Sequence, residues 1–297
     1  MSMQLEGDFQ SVVEVDAVDT RFLQGSQIEL VGDLPMREKP QQVLFDFDGT
    51  LSLVREGWPG VMIPMMVEVL KEAGTEESDE ALHGVCESFV MELNGKQTIY
   101  QMIRLAEEVT KRGGTPRDSL DYKHEYHTRL MERIEARRAA LRAGGDAEEW
   151  RVPGALELLE LLHTRGVELF LASGTDEEYV KEEAVLLGVD KFFGPRIFGA
   201  KDDPRDFSKA MIIDSILSEN GIDGRALVGF GDGYVEIQNV RAVGGLAVAV
   251  ASDEAGRSGQ PDTWKRRRLI SAGAHAVIPD FREAERLVDW LFDPQFD

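Results

Sequence analysis

Four short stretches carry residue types that can do chemistry together. Asp46 and Asp48 stand two residues apart in Asp46-Phe47-Asp48-Gly49-Thr50. Ser173-Gly174-Thr175 offers hydroxyls beside a glycine, Lys209 offers a point charge, and Gly231-Asp232-Gly233-Tyr234-Val235-Glu236 adds two acids. Phosphoryl transfer asks for such groups, because it depends on positioning and on neutralising the charge of the transferred group. A carboxylate nucleophile would divide one hard hydrolysis into two easier steps. A bare carboxylate repels a phosphate dianion, and a hard divalent cation removes that objection. Mg2+ suits the task, since it takes one or two carboxylates and completes its shell with water and substrate oxygen.

These residues need a scaffold that brings them to one place. The apolar run Val43-Leu44-Phe45 before Asp46 reads as a buried strand that delivers both aspartates to the loop at its C-terminal end. In open α/β sheets that end is where ligands bind. From Val152 onward the pattern alternates. Helices are predicted at about 154–165, 177–187, 208–219 and 235–243, with strands at 167–172, 196–198, 226–230, 246–250 and 276–278. This predicts an α/β fold with a doubly wound, mostly parallel, Rossmann-like sheet and helices on both faces. Ser173 is expected at the entry to a helix, where free N–H groups favour an oxyanion, and Lys209 in the first turn of another.

Residues 56–150 have a different texture. Val61, Met65 and Val69, then Phe89, Val90 and Leu93, then Ile103, Leu105 and Val109 recur with helical spacing, and no convincing strand interrupts them. They are read as an all-helical cap inserted into the core, which would comprise residues 41–55 and 151–297. Residues 1–40 form an acidic N-terminal extension. There the alternation Val13-Glu14-Val15-Asp16 and residues 27–31 suggest two short strands, taken as an edge decoration or a linker.

Two lysines compete for the phosphate-binding role. Lys209 lies 23 residues before Asp232, room for one helix, a turn and a strand. Lys201 lies 31 residues before it and needs a longer irregular loop, so Lys209 is preferred. Gly231-Asp232-Gly233 lacks the full glycine spacing of a dinucleotide fingerprint.

The order and spacing of these stretches resemble the haloacid dehalogenase superfamily, in the branch of phosphoglycolate phosphatases and β-phosphoglucomutases with a helical cap after the first motif. The likeness spans about residues 41–297 and leaves the extension unexplained. It implies Asp46 as the nucleophile that becomes an aspartyl-phosphate, and Asp48 as general acid, then base. It implies Ser173, Gly174 and Lys209 as the phosphate cradle. Mg2+ would be held by Asp46, Asp232 and the backbone carbonyl of Asp48, with Glu236 ligating or supporting it. Relatives that cleave carbon–halogen bonds or phosphonates generally lack an acid at the position of Asp48, so neither reaction is expected.

Substrate selection is expected from the cap and from the flap after the first motif. Arg55 is a candidate partner for a second anionic group, and Trp58 either stacks on the substrate or packs between domains. Asn94-Gly95-Lys96-Gln97 resembles the substrate-facing loop of related caps, which makes Lys96 a candidate against the alternative of a solvated lysine at a helix stop. His124 and His127, on a helix read as solvated over 120–142, lack an evident third ligand and are not taken as a metal site. The basic run Lys265-Arg266-Arg267-Arg268 is expected to be the polar face of a short helix.

Composition narrows the partners. Hydrophobic residues make up 42% and charged residues 30%, and the formal net charge is −22. Such a field repels nucleic acids and anionic membranes, so an anionic substrate must be drawn by local cations or a metal. Cys86, the only cysteine, excludes an intrachain disulfide and a cysteine-based zinc site, and is read as buried packing in a cap helix. No stretch reaches the ~18 apolar residues of a transmembrane helix. The acidic first thirty residues lack the apolar run of a secretory signal. A cytoplasmic Mg2+-dependent phosphatase acting on a sugar phosphate or a phosphoglycolate-like acid is the expectation. A phosphomutase is the nearest alternative, and a phosphate-binding regulatory module the alternative from another class. The oligomeric state leaves no mark on the sequence.

Overall fold

In the computed structural model, which describes residues 8–203 and 205–293, the apolar run before Asp46 is an inner strand of an eight-stranded sheet. The chain opens with β1 (Thr20–Phe22), β2 (Glu29–Val31) and β3 (Gln42–Phe45). Four helices follow: α1 (Pro59–Glu72), α2 (Asp79–Glu92), α3 (Thr98–Lys111) and α4 (Ser119–Arg142). The α/β alternation then runs through α5 (Ala155–Thr164), β4 (Glu168–Asp176), α6 (Glu177–Leu186), the short α7 (Asp190–Phe193), β5 (Ile197–Ala200) and α8 (Lys209–Asn220). It continues through β6 (Leu227–Gly231), α9 (Tyr234–Ala242), β7 (Leu246–Val250), α10 (Thr263–Ser271), β8 (Ala276–Ile278) and α11 (Ala284–Phe292).

The strand order is β1-β2-β8-β7-β6-β3-β4-β5. From β8 to β5 every pairing is parallel, and β2 alone runs against the rest, pairing antiparallel with both β1 and β8. The inner strands are apolar on both faces, as helices on either side require. β3 lies between β4 and β6, so the loops after these three strands meet at one edge of the sheet. A doubly wound core with an inserted helical cap is the observed architecture. No helix among the described residues is long and apolar enough to cross a membrane.

Three expectations change. Residues 13–16 are not a strand; the hairpin forms between β1 and β2 and adds to β8, with Leu23, Ile28 and Leu30 buried in the core. α4 is not a solvated helix, since Tyr122, Tyr126, Leu130, Ile134 and Leu141 are buried. The same stripe carries the buried Lys123, His127 and Arg138, and these polar residues hid its periodicity. β4 continues to Asp176, so Ser173 sits on a strand and no helix begins at it.

Candidate active site

The loop after β3 is tied down at once. Asp46 N donates to Phe230 O of β6 at 2.9 Å, and Phe47 N donates to Asp46 Oδ1 at 2.8 Å. Gly49 follows with φ +71°, and a Cβ there would lie 2.2 Å from Asp232 Oδ2. The glycine therefore supplies both the left-handed turn and the room that lets Asp232 approach the first loop. Lys209, placed in the first turn of α8 by the Ser208 cap, brings Nζ to 3.0 Å from Asp46 Oδ1 and also bonds Glu236. All three side chains are buried. Lysine is tolerated there because two carboxylates surround it.

Asp48 lies opposite the end of β4. Thr175 donates its Oγ1 proton to Asp48 Oδ2 at 2.8 Å, while Ser173 Oγ stands 3.5 Å away. Asp48 Oδ1 is buried without a hydrogen-bond partner among the described residues, and Arg55 Nε lies 3.8 Å from it. Burial pushes this carboxyl up to about 7; Glu183 and Asp46 add to the rise, and Arg55 and Thr175 oppose it. A carboxyl that titrates there can both give and take a proton near neutral pH.

Asp232 is held by a cation that the sequence reading assigned to a solvated face. Lys265 Nζ lies 2.8 Å from Asp232 Oδ2, 2.7 Å from Glu254 Oε1 and 3.0 Å from Ser252 Oγ. Burial raises the Asp232 carboxyl to about 6, with Asp46 and Glu254 adding to the rise and Lys265 opposing it. The rest of that basic run is also engaged: Arg266 pairs with Glu29, Arg267 with Asp16, and Arg268 packs over the rings of Phe9, Tyr234 and Trp264. α10 is a docked helix, neutralised by acids from the loops after β6 and β7 and from the N-terminal segment.

The geometry fits Mg2+. Asp46 and Asp232 are hard oxygen donors that line the same cleft, Gly49 leaves room for Asp232 beside the first loop, and Asp46 is near enough to act on Asp232 as a charge. Mg2+ is an ion that takes one or two carboxylates and completes its shell with water and substrate oxygen. Glu236 gives Oε1 to Lys209, while its Oε2 is buried without a hydrogen-bond partner among the described residues, so both of its expected roles stay open.

Cap and flap close the cleft. Lys96 lines it, almost wholly buried, with Nζ 2.7 Å from Asp8 Oδ1 and 5.0 Å from the centre of the Tyr100 ring. A Cβ at Gly174 would lie 2.9 Å from Lys96 O, so glycine is what lets the cap loop rest on the end of β4. Trp58 lines the cleft at the start of α1, half-buried against the core. Arg55 also lines it, but Nε and Nη2 are both bonded to Glu183 of α6 at 3.0 and 2.9 Å. Those donors are not available to a substrate. Lys201 is half exposed and faces Glu177. His124 is exposed, and His127 is buried beside Asp176 with Lys123, so the two histidines share no site.

A haloacid dehalogenase-like hydrolase family model matches residues 41–244. The chain belongs to that family and is an enzyme of it. Similar solved structures include a HAD hydrolase, family IA, variant 3, from Entamoeba histolytica. It is 19% identical, with 85% of this chain and all of that one covered and a TM-score of 0.57. A protein described as a predicted phosphoglycolate phosphatase from Haemophilus somnus is 16% identical, with 84% of this chain and 98% of that one covered and a TM-score of 0.54. A hydrolase from Pseudomonas syringae is 17% identical, with 85% and 100% covered and a TM-score of 0.55. At such identities these likenesses speak for the fold. No curated protein matches the chain. The family match ends before Ser252, Glu254 and Lys265, and Glu183 falls within it.

The sequence reading gave no role in the site to Glu183, Glu254 or Lys265, and named Thr175 only as a hydroxyl beside Ser173. Thr175 had a signal, since it stands two residues from Ser173 and projects from the same face of β4. The other three looked like ordinary solvated charges.

Proposed function

We propose that the protein is a Mg2+-dependent phosphatase that hydrolyses a small phosphomonoester through an aspartyl-phosphate on Asp46. One observation carries the reading: Asp46 and Asp48 face the same cleft, one beside a lysine and the other held as a protonatable acid.

An Asp46 oxygen attacks phosphorus, and the ester P–O bond breaks as Asp48 gives its proton to the leaving oxygen. Asp48, now a base, takes a proton from water as that water attacks the phosphoryl group, which releases phosphate and restores Asp46. Ser173 and Lys209 bind the phosphoryl oxygens, and Gly174 leaves room for the cap loop above them. Asp46 and Asp232 would hold Mg2+, which would supply charge neutralisation for the phosphoryl oxygens. Trp58 and Lys96 meet the rest of the substrate, Lys96 after exchanging Asp8 for it. Arg55 acts on Asp48 and on the flap, and is not assigned to the substrate.

The test is phosphate release from sugar phosphates, phosphoglycolate and nucleoside monophosphates, with Mg2+ and then with EDTA. Release that needs the metal supports the reading. Interconversion of phosphate isomers without release would replace it with a phosphomutase, and ligand-induced stabilisation with neither reaction would leave a binding module.

A further inference from the structure

Lys265 touches the candidate metal ligand without lining the cleft. Its side chain is only 10% exposed and reaches Asp232 and Glu254, both of which do line the cleft, from behind. Its position is fixed from several sides. The Asp262 side chain caps α10 by accepting from Lys265 N at 2.8 Å, and Asp262 N is bonded to Ala251 O just past β7. Ser252, the third partner of the ammonium, donates its own proton to Gly49 O at 2.6 Å. The lysine is thus bonded to the loop after β7 and, through Ser252, to the loop that carries Asp46 and Asp48.

Glu254 and Asp232 come from the loops after different strands, and among the described residues Lys265 is the cation paired with each of them. Two buried carboxylates this close would repel each other and turn away, or draw in water, without a positive charge between them. Lys265 supplies that charge permanently. It also stands beside the place where a divalent cation would bind Asp232, and like charges at such range oppose each other.

We infer that Lys265 is a positioning residue for the metal site: a resident cation that holds Asp232 and Glu254 in place and weakens the site's hold on its divalent cation. The inference rests on the phosphatase reading in one respect only, that Asp232 is a metal ligand. Mg2+ would then bind weakly and exchange readily, and the ligands would keep their geometry when it leaves.

The experiment is calorimetric titration of the full-length, metal-free protein with Mg2+ alone, with no substrate present. Lys265→Gln keeps a donor for both carboxylates and removes the charge; it should bind Mg2+ about ten-fold more tightly than wild type. Lys265→Arg keeps the charge and should bind like wild type. Equal or weaker binding by a folded Lys265→Gln protein overturns the inference. Glu254→Gln gives a second reading if the lysine variant does not fold. With Glu254 neutral, the ammonium charge rests on Asp232 alone, and Mg2+ should bind more weakly than in wild type; equal or tighter binding overturns the inference. A wild-type protein that binds no Mg2+ overturns both the metal assignment and the inference. A wild-type protein that binds Mg2+ but releases no phosphate overturns the phosphatase alone and leaves the role of Lys265 standing on the titrations.

Discussion

Glu183 grips Arg55 through two parallel hydrogen bonds, and the two side chains are 0% and 5% exposed. The pair joins α6 of the core to the flap that follows the catalytic loop, and Arg138 of the cap approaches the same carboxylate at 3.9 Å. It also sets what Asp48 experiences. Arg55 stands near enough to act on Asp48 as a charge, and too far to donate a hydrogen bond.

Removing one partner of such a pair strands a buried charge. Glu183→Ala is expected to cost about 3–5 kcal/mol of stability, read from the midpoint of urea unfolding. A cost below about 1 kcal/mol would show that the pair is solvated and that the closed flap is not the resting state.

Lys209 and Glu236 give a cycle that separates stability from activity. Lys209→Met leaves Glu236 and Asp46 buried together without a cation, so it should lose both folding free energy and turnover. Adding Glu236→Gln removes one of the stranded charges and should recover part of the stability, while turnover stays lost because no lysine meets the phosphoryl group. Denaturation and phosphate release on the four proteins check this. Full recovery of activity in the double variant would remove Lys209 from the mechanism.

Asp48 makes stability depend on pH with a definite sign. Its carboxyl titrates near 7 in the folded protein against an ordinary 3.8, so between those values the native state holds a proton that the unfolded chain has lost. Stability from this group is complete below about pH 4 and is lost as pH rises towards 7. Asp232, raised to about 6, acts in the same direction. In EDTA, the stability of wild type relative to Asp48→Asn should therefore fall from pH 4 to 7 and level off above. A difference that stays flat or rises across that window would contradict the assignment.

Much of this arrangement was legible in the sequence because its signals are local. A buried strand ending in Asp-x-Asp-Gly announces both the centre of a parallel sheet and the carboxylates at its end. The spacing between Lys209 and Asp232 carries the intervening helix and strand. Glu183 and Lys265 were illegible for the opposite reason. Each sits among similar charges, Glu182 and Glu183 on α6 and the four-residue basic run on α10, and only the tertiary partner tells which member turns inward. The polar residues on the buried stripe of α4 misled in the same way. Thr20–Phe22 was missed as a strand because its three residues are exposed and it is the edge strand, paired on one side only, with β2.

The N-terminal hairpin is part of the core. Deleting residues 1–40 removes the strand paired to β8 together with buried Leu23, Ile28 and Leu30. At about 1.5–3 kcal/mol for each side chain, the loss should be on the order of 5 kcal/mol, seen as a clear fall in Tm. An unchanged Tm would make the segment a mere linker.

In the proposed mechanism the phosphoryl group passes through Asp46. Acid quenching during turnover, followed by mass spectrometry of the peptides, tests it most directly. One phosphoryl group is expected on the peptide that contains Asp46, dependent on Mg2+ and absent together with turnover from Asp46→Asn. Sustained phosphate release by the Asp46→Asn protein, or label on a different residue in wild type, would contradict it.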